Sequence, residues 1–168
     1  MKKFFVVAAR VIGAVTLSAI DFIVQVEKFP DAENVKKSKM GSAFNHEMVL
    51  FSAKEATMVG KLDIPEAGKY WIYVRDYSMS GKWRNGFLYI NGKKVGKFGD
   101  SPTPDGKGGV WQWNKAPFKV DLPAGEVEVK IVSNSANTRY DAIYFTTEDN
   151  VDLATIDMND VPELEPAN

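Results

Sequence analysis

Cysteine is absent from this chain, and histidine occurs once, as His46. The first absence excludes a disulfide framework, a thiolate metal site and a cysteine nucleophile. The second excludes the histidine-rich metal centres of cupin-like and zinc-hydrolase β folds. Neither sign of charge dominates, with 21 bases against 22 acids. Hydrophobic content of 45% and charged content of 26% are those of an ordinary globular protein, so wholesale disorder is excluded. The 168 residues suffice for one domain with a full core and are few for two.

The N-terminal segment differs from the rest. Lys2 and Lys3 precede the mostly apolar run Phe4–Ile20, which ends in the small residues of Leu17-Ser-Ala19. This is the order of a secretory signal, so residues 1–19 are expected to be a cleaved signal peptide. A secreted, periplasmic or cell-surface location follows. A short retained anchor and a buried first segment are the alternatives. Arg10 interrupts the apolar run, whereas a membrane span wants about 20 uninterrupted apolar residues. No stable membrane span is expected.

Without residues 1–19 the basic count falls to 18 against 22 acids, a net charge of −4 that disfavours nonspecific nucleic-acid binding. The charge is uneven. Residues 147–168 hold seven acids, no base and no aromatic, which leaves 18 bases and 15 acids, or +3, in residues 20–146. The acidic C-terminal tail is either a solubilising end or a segment that folds back on the body.

Residues 20–146 read as β-strands and turns. Phe22–Glu27 is rich in β-branched residues and makes a first strand, broken by Pro30 and the polar run Asp31–Lys39. Ala43–Phe51 and Thr57–Ile64 follow, then a Pro65-Glu-Ala-Gly68 turn. Tyr70–Tyr77 alternates clearly. Tyr70, Ile72 and Val74 share a face that looks like core; Trp71, Tyr73, Arg75 and Tyr77 share the other, as a binding face or beneath a covering segment. Phe87–Ile90 and Lys93–Phe98 flank Asn91-Gly92, a strong hairpin signal. Gly99–Gly109, with four glycines and two prolines, is a long loop. Val110–Trp113, Phe118–Leu122, Val127–Val132 and Tyr140–Phe145 complete about nine strands, with no amphipathic helix after the N-terminal segment and no repeat. The expected fold is all-β: a two-sheet antiparallel β-sandwich of jelly-roll type.

Ala67-Gly-Lys-Tyr-Trp-Ile-Tyr-Val-Arg75, Phe87-Leu-Tyr-Ile-Asn-Gly-Lys93, Trp111-Gln-Trp113, Leu122-Pro-Ala-Gly-Glu-Val-Glu-Val129 and Arg139-Tyr-Asp-Ala-Ile-Tyr-Phe145 together carry a resemblance. In this order they resemble the galactose-binding-like carbohydrate-binding modules, especially families six and thirty-five. They are also similar to the non-catalytic domain of some bacterial FAD-dependent oxidoreductases and xanthan-lyase-like proteins. The resemblance implies a jelly roll that binds a glycan or polysaccharide, usually as the passenger of a carbohydrate-active enzyme.

All four tryptophans fall within Gly68–Phe145. Trp83, Trp111 and Trp113 lie in or beside the two long loops, where their rings either stack on sugar C–H faces or support core and loops. Arg84, next to Trp83, is a hydrogen-bond donor for hydroxyls or an acidic sugar. For Arg75 and Arg139 pairing within the molecule, for example with Asp76 or Asp141, is the favoured reading. The resemblance further implies a structural calcium where the first strand meets the last. Glu27 and Asp141 take those two places, with Gln25 a further amide-oxygen ligand; a salt link from either acid is the alternative.

No motif selects a pair of carboxylates for glycoside hydrolysis, and Gly106-Lys-Gly-Gly109 lacks phosphate-loop spacing. The reading is therefore a non-catalytic, exported carbohydrate-binding module. The alternative is a structural or assembly subunit that uses the aromatic face and acidic tail for protein contacts.

Overall fold

A computed structural model describes residues 19–79, 85–99 and 108–167. Twelve strands run through them: β1 (Asp21–Gln25), β2 (Asp31–Glu33), β3 (Val35–Lys39), β4 (Glu47–Phe51), β5 (Thr57–Ile64), β6 (Gly68–Met79), β7 (Gly86–Ile90), β8 (Lys93–Phe98), β9 (Gly108–Lys115), β10 (Val120–Leu122), β11 (Gly125–Ser133) and β12 (Thr138–Thr146). They form two antiparallel sheets. One joins β10, β6, β12, β4 and β3, with β1 paired to β12 and β9 to β6; the other runs β2-β5-β11-β7-β8.

The expected sandwich is present, with twelve strands against the about nine expected. The two that match none of the stretches read as strands are β2 and β3, inside the polar run Asp31–Lys39. That run contains almost no apolar residue, so alternation could not reveal it. Pairing is enforced from the other side: β2 sits at the edge of its sheet against β5, and β3 at the edge of the other against β4. Lys36, Lys37 and Lys39 are exposed on β3, a charge placement that keeps an open edge from pairing with another chain. The expected strand Ala43–Phe51 is instead a 3-10 turn at Phe44–His46 followed by β4. Asn45 and His46 both have positive φ there, which a strand cannot absorb.

The core lies between the sheets. Tyr70, Ile72 and Val74 of β6, Ile143 and Phe145 of β12, and Phe22 and Val24 of β1 meet Met58 and Leu62 of β5, Leu88 of β7 and Val127, Val129 and Ile131 of β11. Phe22 stacks on Phe145 at 4.7 Å between ring centroids. The alternation read along β6 holds residue by residue. The Asn91-Gly92 hairpin also holds, with φ of 47° and 73° at the two positions.

Beyond β12 the chain folds back onto the body. Ile23 N–H donates to Pro162 O at 3.0 Å and Leu164 N–H to Ile23 O at 2.8 Å. Ala167 N–H reaches Lys61 O at 2.8 Å, and Lys28 lies 2.7 and 2.5 Å from Glu163 and Glu165. Of the two readings of the acidic tail, the strap is the one observed. Among the described residues no helix is long and apolar enough to cross a membrane.

Candidate functional site

The outward face of the seven-stranded sheet carries the aromatic residues. On β6 the outward set is Trp71, Tyr73, Arg75 and Tyr77. Their partners on β9 are Lys115 opposite Tyr73, Trp113 opposite Arg75 and Trp111 opposite Tyr77. Directly paired residues point to the same side of a sheet, so Trp111, Trp113 and Lys115 extend one platform begun by β6. Tyr144 of β12 continues it, 6.3 Å from Trp113 and 6.0 Å from Tyr73 between ring centroids.

The tail covers one part of this face and leaves another open. Tyr73, Tyr144 and Ile23 project outward yet are buried, because the strap crosses them between Asp149, bonded to Trp71, and Pro162, bonded to Ile23. Trp111 and Trp113 stay half-buried. Beside them a groove of about 560 Å³ is lined by Trp113, Arg75, Asn45 and His46 from the body and by Ile156 and Asp157 from the strap.

Several contacts hold these groups in place. Trp111 donates its indole N–H to Ser42 Oγ at 3.2 Å and meets Tyr77 edge-on at 5.1 Å. The Arg75 guanidinium lies 5.4 Å from the Trp111 ring and forms an ion pair with Asp141. The expected intramolecular pairing of Arg75 is therefore observed, with Asp141 rather than Asp76. The guanidinium has five N–H donors, so this pair leaves capacity for a ligand. Asp157 accepts from Asn159 N–H at 2.9 Å, and that hydrogen bond holds its carboxyl below the ordinary value.

Below the platform two acids are buried together. Glu27 sits in the 3-10 turn Val26–Lys28 that follows β1, and Asp141 lies where the β12 register against β6 shifts between Tyr140 and Ile143. Their exposures are 4% and 0%. Asp141 Oδ2 accepts from Phe44 N–H at 3.0 Å and from Arg75, whereas Asp141 Oδ1 and both Glu27 carboxylate oxygens are buried with no hydrogen-bond partner. Burial, with the neighbouring Asp141 and Glu47 adding to it, pushes the Glu27 carboxyl up to about 7; burial pushes Asp141 up to about 6 against the opposing Phe44 N–H and Arg75. Gln25 is buried on the adjoining strand and donates its amide N–H to Glu163 of the strap at 2.7 Å. Among the described residues no three acids or histidines are grouped to hold a metal by themselves.

A third buried acid, Asp76, takes hydrogen bonds from Asn114 and Gln112, and burial raises it to about 7. Trp83 and Arg84 lie outside the described residues.

No protein-family model and no curated protein matches the chain. Solved structures do. The C-terminal CBM6 of a marine laminarinase from Zobellia galactanivorans superposes with a TM-score of 0.62 at 18% identity, covering 76% of this chain and 99% of that one. A native family 35 carbohydrate-binding module from Clostridium thermocellum gives 0.59 at 16% identity, over 74% and 96%. A module of Cellvibrio mixtus lichenase 5A, solved in complex with cellotriose, gives 0.58 at 17% identity, over 76% and 97%. The chain has the carbohydrate-binding-module fold.

On that fold the structure brings Trp113 and Arg75 to one groove, places Trp111 beside it against Arg75 and Tyr77, and brings Glu27, Asp141 and Gln25 to the neighbourhood beneath it. Sequence reasoning missed the strap's half of the groove and the Trp71, Lys115, Lys119 and Asp149 cluster described below. One signal for the strap was present: Leu153, Ile156 and Met158 are spaced apolar residues in an otherwise acidic stretch, and all three line the groove.

Proposed function

We propose that this protein is an exported, non-catalytic carbohydrate-binding module whose groove at Trp113 holds a glycan. The observation that carries this reading is a half-buried pair of indoles, fixed by Ser42, Tyr77 and Tyr144, beside an arginine in an open groove on a carbohydrate-binding-module fold. Rings already held in place stack on a pyranose without losing further rotamer freedom. Arg75, Asn45 and His46 supply polar groups for hydroxyls. Trp83 and Arg84 belong to the proposed ligand set on sequence grounds, since they stand between the ends of β6 and β7.

The acids support binding rather than hydrolysis. Glycosidases place two carboxyls at the scissile bond, one with a raised pKa. Here the raised carboxyls, Glu27, Asp76 and Asp141, are buried and none lines the groove, while the acid that does, Asp157, is shifted down. Export is proposed from the basic start and apolar middle of residues 1–19.

Calcium is proposed at Glu27 and Asp141. Asp141 Oδ2 makes the alternative salt link, to Arg75, but three buried carboxylate oxygens remain without donors and fit a cation better than they fit solvent. The carbonyl oxygen of Gln25, backbone carbonyls and water would complete the six to eight oxygens calcium takes. Bound there, the ion would hold the start of the strand pair under the groove by neutralising both acids.

Affinity electrophoresis through gels containing laminarin, lichenan, xylan or galactan tests the function. At least one glycan is expected to retard the purified protein, and Trp113→Ala is expected to abolish that retardation while melting within a few degrees of the parent. Absence of retardation in every gel refutes the proposal.

A further inference from the structure

The strap begins by placing a carboxylate in a socket made for one. Asp149 Oδ1 accepts from the Trp71 indole N–H at 3.0 Å and lies 2.8 Å from Lys119 Nζ. Lys115 Nζ donates to the Asp149 carbonyl at 3.3 Å and sits 3.7 Å from the centre of the Trp71 ring; Lys119 sits 5.9 Å from the same ring. Lys119 is further tied to Thr147 O at 3.0 Å. The socket is ordered and partly sunk, with the Lys119 side chain only 24% exposed, whereas that of its occupant Asp149 is 71% exposed.

The side-chain groups that contact Asp149 are all donors. Two ammonium groups and an indole N–H converge, and a neutral hydroxyl there would leave both charges unmatched. A carboxylate or sulfate oxyanion satisfies them. The contacts from Lys119 and Trp71 hold the Asp149 carboxyl below its ordinary value, as expected for a site that selects anions. An ion pair with so exposed a carboxylate contributes little, so the occupant exchanges easily.

The socket is also in line with the groove. Lys115 is the next same-face residue after Trp113 on β9, roughly 7 Å along the strand. The strap itself runs from the socket to the groove, with Asp149 at one end and Ile156 and Asp157 at the other.

We propose that Trp71, Lys115 and Lys119 form a subsite for an acidic saccharide, carboxylate or sulfate, in which the chain's own Asp149 carboxylate stands in until such a ligand displaces it. This rests on the outer face being the glycan-binding face.

Titration calorimetry at low salt with polygalacturonate, dextran sulfate and laminarin separates the possibilities. Asp149→Asn removes the competing negative charge at an exposed position and is expected to tighten binding of one polyanion about five-fold, the scale of one surface ion pair. Laminarin affinity is expected to stay as it was. Adding Lys115→Gln and Lys119→Gln is expected to reverse the gain. Glu126→Gln, which frees Lys61 on the other sheet, changes net charge equally and is expected to have no effect. Whichever polyanion gains identifies the oxyanion. No gain for either polyanion, or an equal gain from Glu126→Gln, overturns the subsite. Failure of the parent protein to bind any of the neutral glycans, with the polyanion gain intact, would instead count against the Trp113 groove.

Discussion

A chain ending at Glu148 is expected to melt roughly 6–12 °C below the full-length protein. Removing the strap uncovers Ile23, Tyr73 and Tyr144, which face outward from the sheet and are otherwise buried. It also removes Leu164, packed against the core, and the Pro162 carbonyl that accepts from Ile23 N–H. Each large apolar side chain contributes roughly 1.5–3 kcal/mol when fully buried. Partial uncovering of three therefore costs about 3 kcal/mol, at roughly 2–4 °C per kcal/mol for a chain of this size. The ion pairs of Lys28 with Glu163 and Glu165 add little, being exposed. Differential scanning calorimetry reads the shift. Unchanged melting would mean the strap is a passive end rather than part of the fold.

The second large effect couples pH to calcium. In chelator, the melting temperature is expected to fall as pH rises from 5 to 8. Glu27 titrates at 4.5 when unfolded and at about 7 when folded, so the native chain keeps a proton that the unfolded chain has released. Its stabilisation is complete below pH 4.5 and is lost as pH rises through 7. Asp141, moved from 3.8 to about 6, and Asp76, moved from 3.8 to about 7, act in the same direction. At about 1.4 kcal/mol per pH unit, Glu27 alone is worth on the order of 3 kcal/mol. Calcium favours the ionised carboxylates and should oppose the trend, raising the melting temperature at pH 8 and leaving it nearly unchanged at pH 5; at a hundredfold excess over Kd the gain is about 2.7 kcal/mol. Glu27→Gln should weaken the pH response, leaving the part that Asp76 and Asp141 supply, and abolish the calcium response. A melting temperature at pH 8 indifferent to calcium would remove the metal from the account.

The architecture was legible in the sequence because β5, β7 and β11 alternate strictly, β6 carries its core residues at every second position, and the turns carry Gly, Pro and Asn-Gly. The edges were not. β2 and β3 are written in Asp, Glu and Lys, so their strand character comes from the partner strand and the pattern is silent. The covering of Tyr73 was anticipated as one of two fates for the second face of β6, but nothing local identified the cover. The strap pairs with residues more than a hundred positions away, such as Gln25 with Glu163. Its acids read as solvation until Lys28, Lys115 and Lys119 are placed opposite them.

The same long-range logic explains the site. Trp111 and Trp113 were visible as a same-face pair, yet their neighbours Arg75 and Tyr77 are set by the register of β9 against β6, which a single strand does not encode. Asp141 and Glu27 came together through the resemblance rather than through spacing. The structure adds what the resemblance could not: oxygens of both acids lack donors, and Arg75 links Asp141 to the groove above it.

An NMR titration of the four indole N–H resonances with whichever oligosaccharide the gels select tests the central claim most directly, with Trp113→Ala assigning one of them. Large shifts at Trp111 and Trp113, saturating with ligand, are the expected result. Saturating binding that leaves both of those resonances unmoved would place the sugar elsewhere and contradict the outer-face groove.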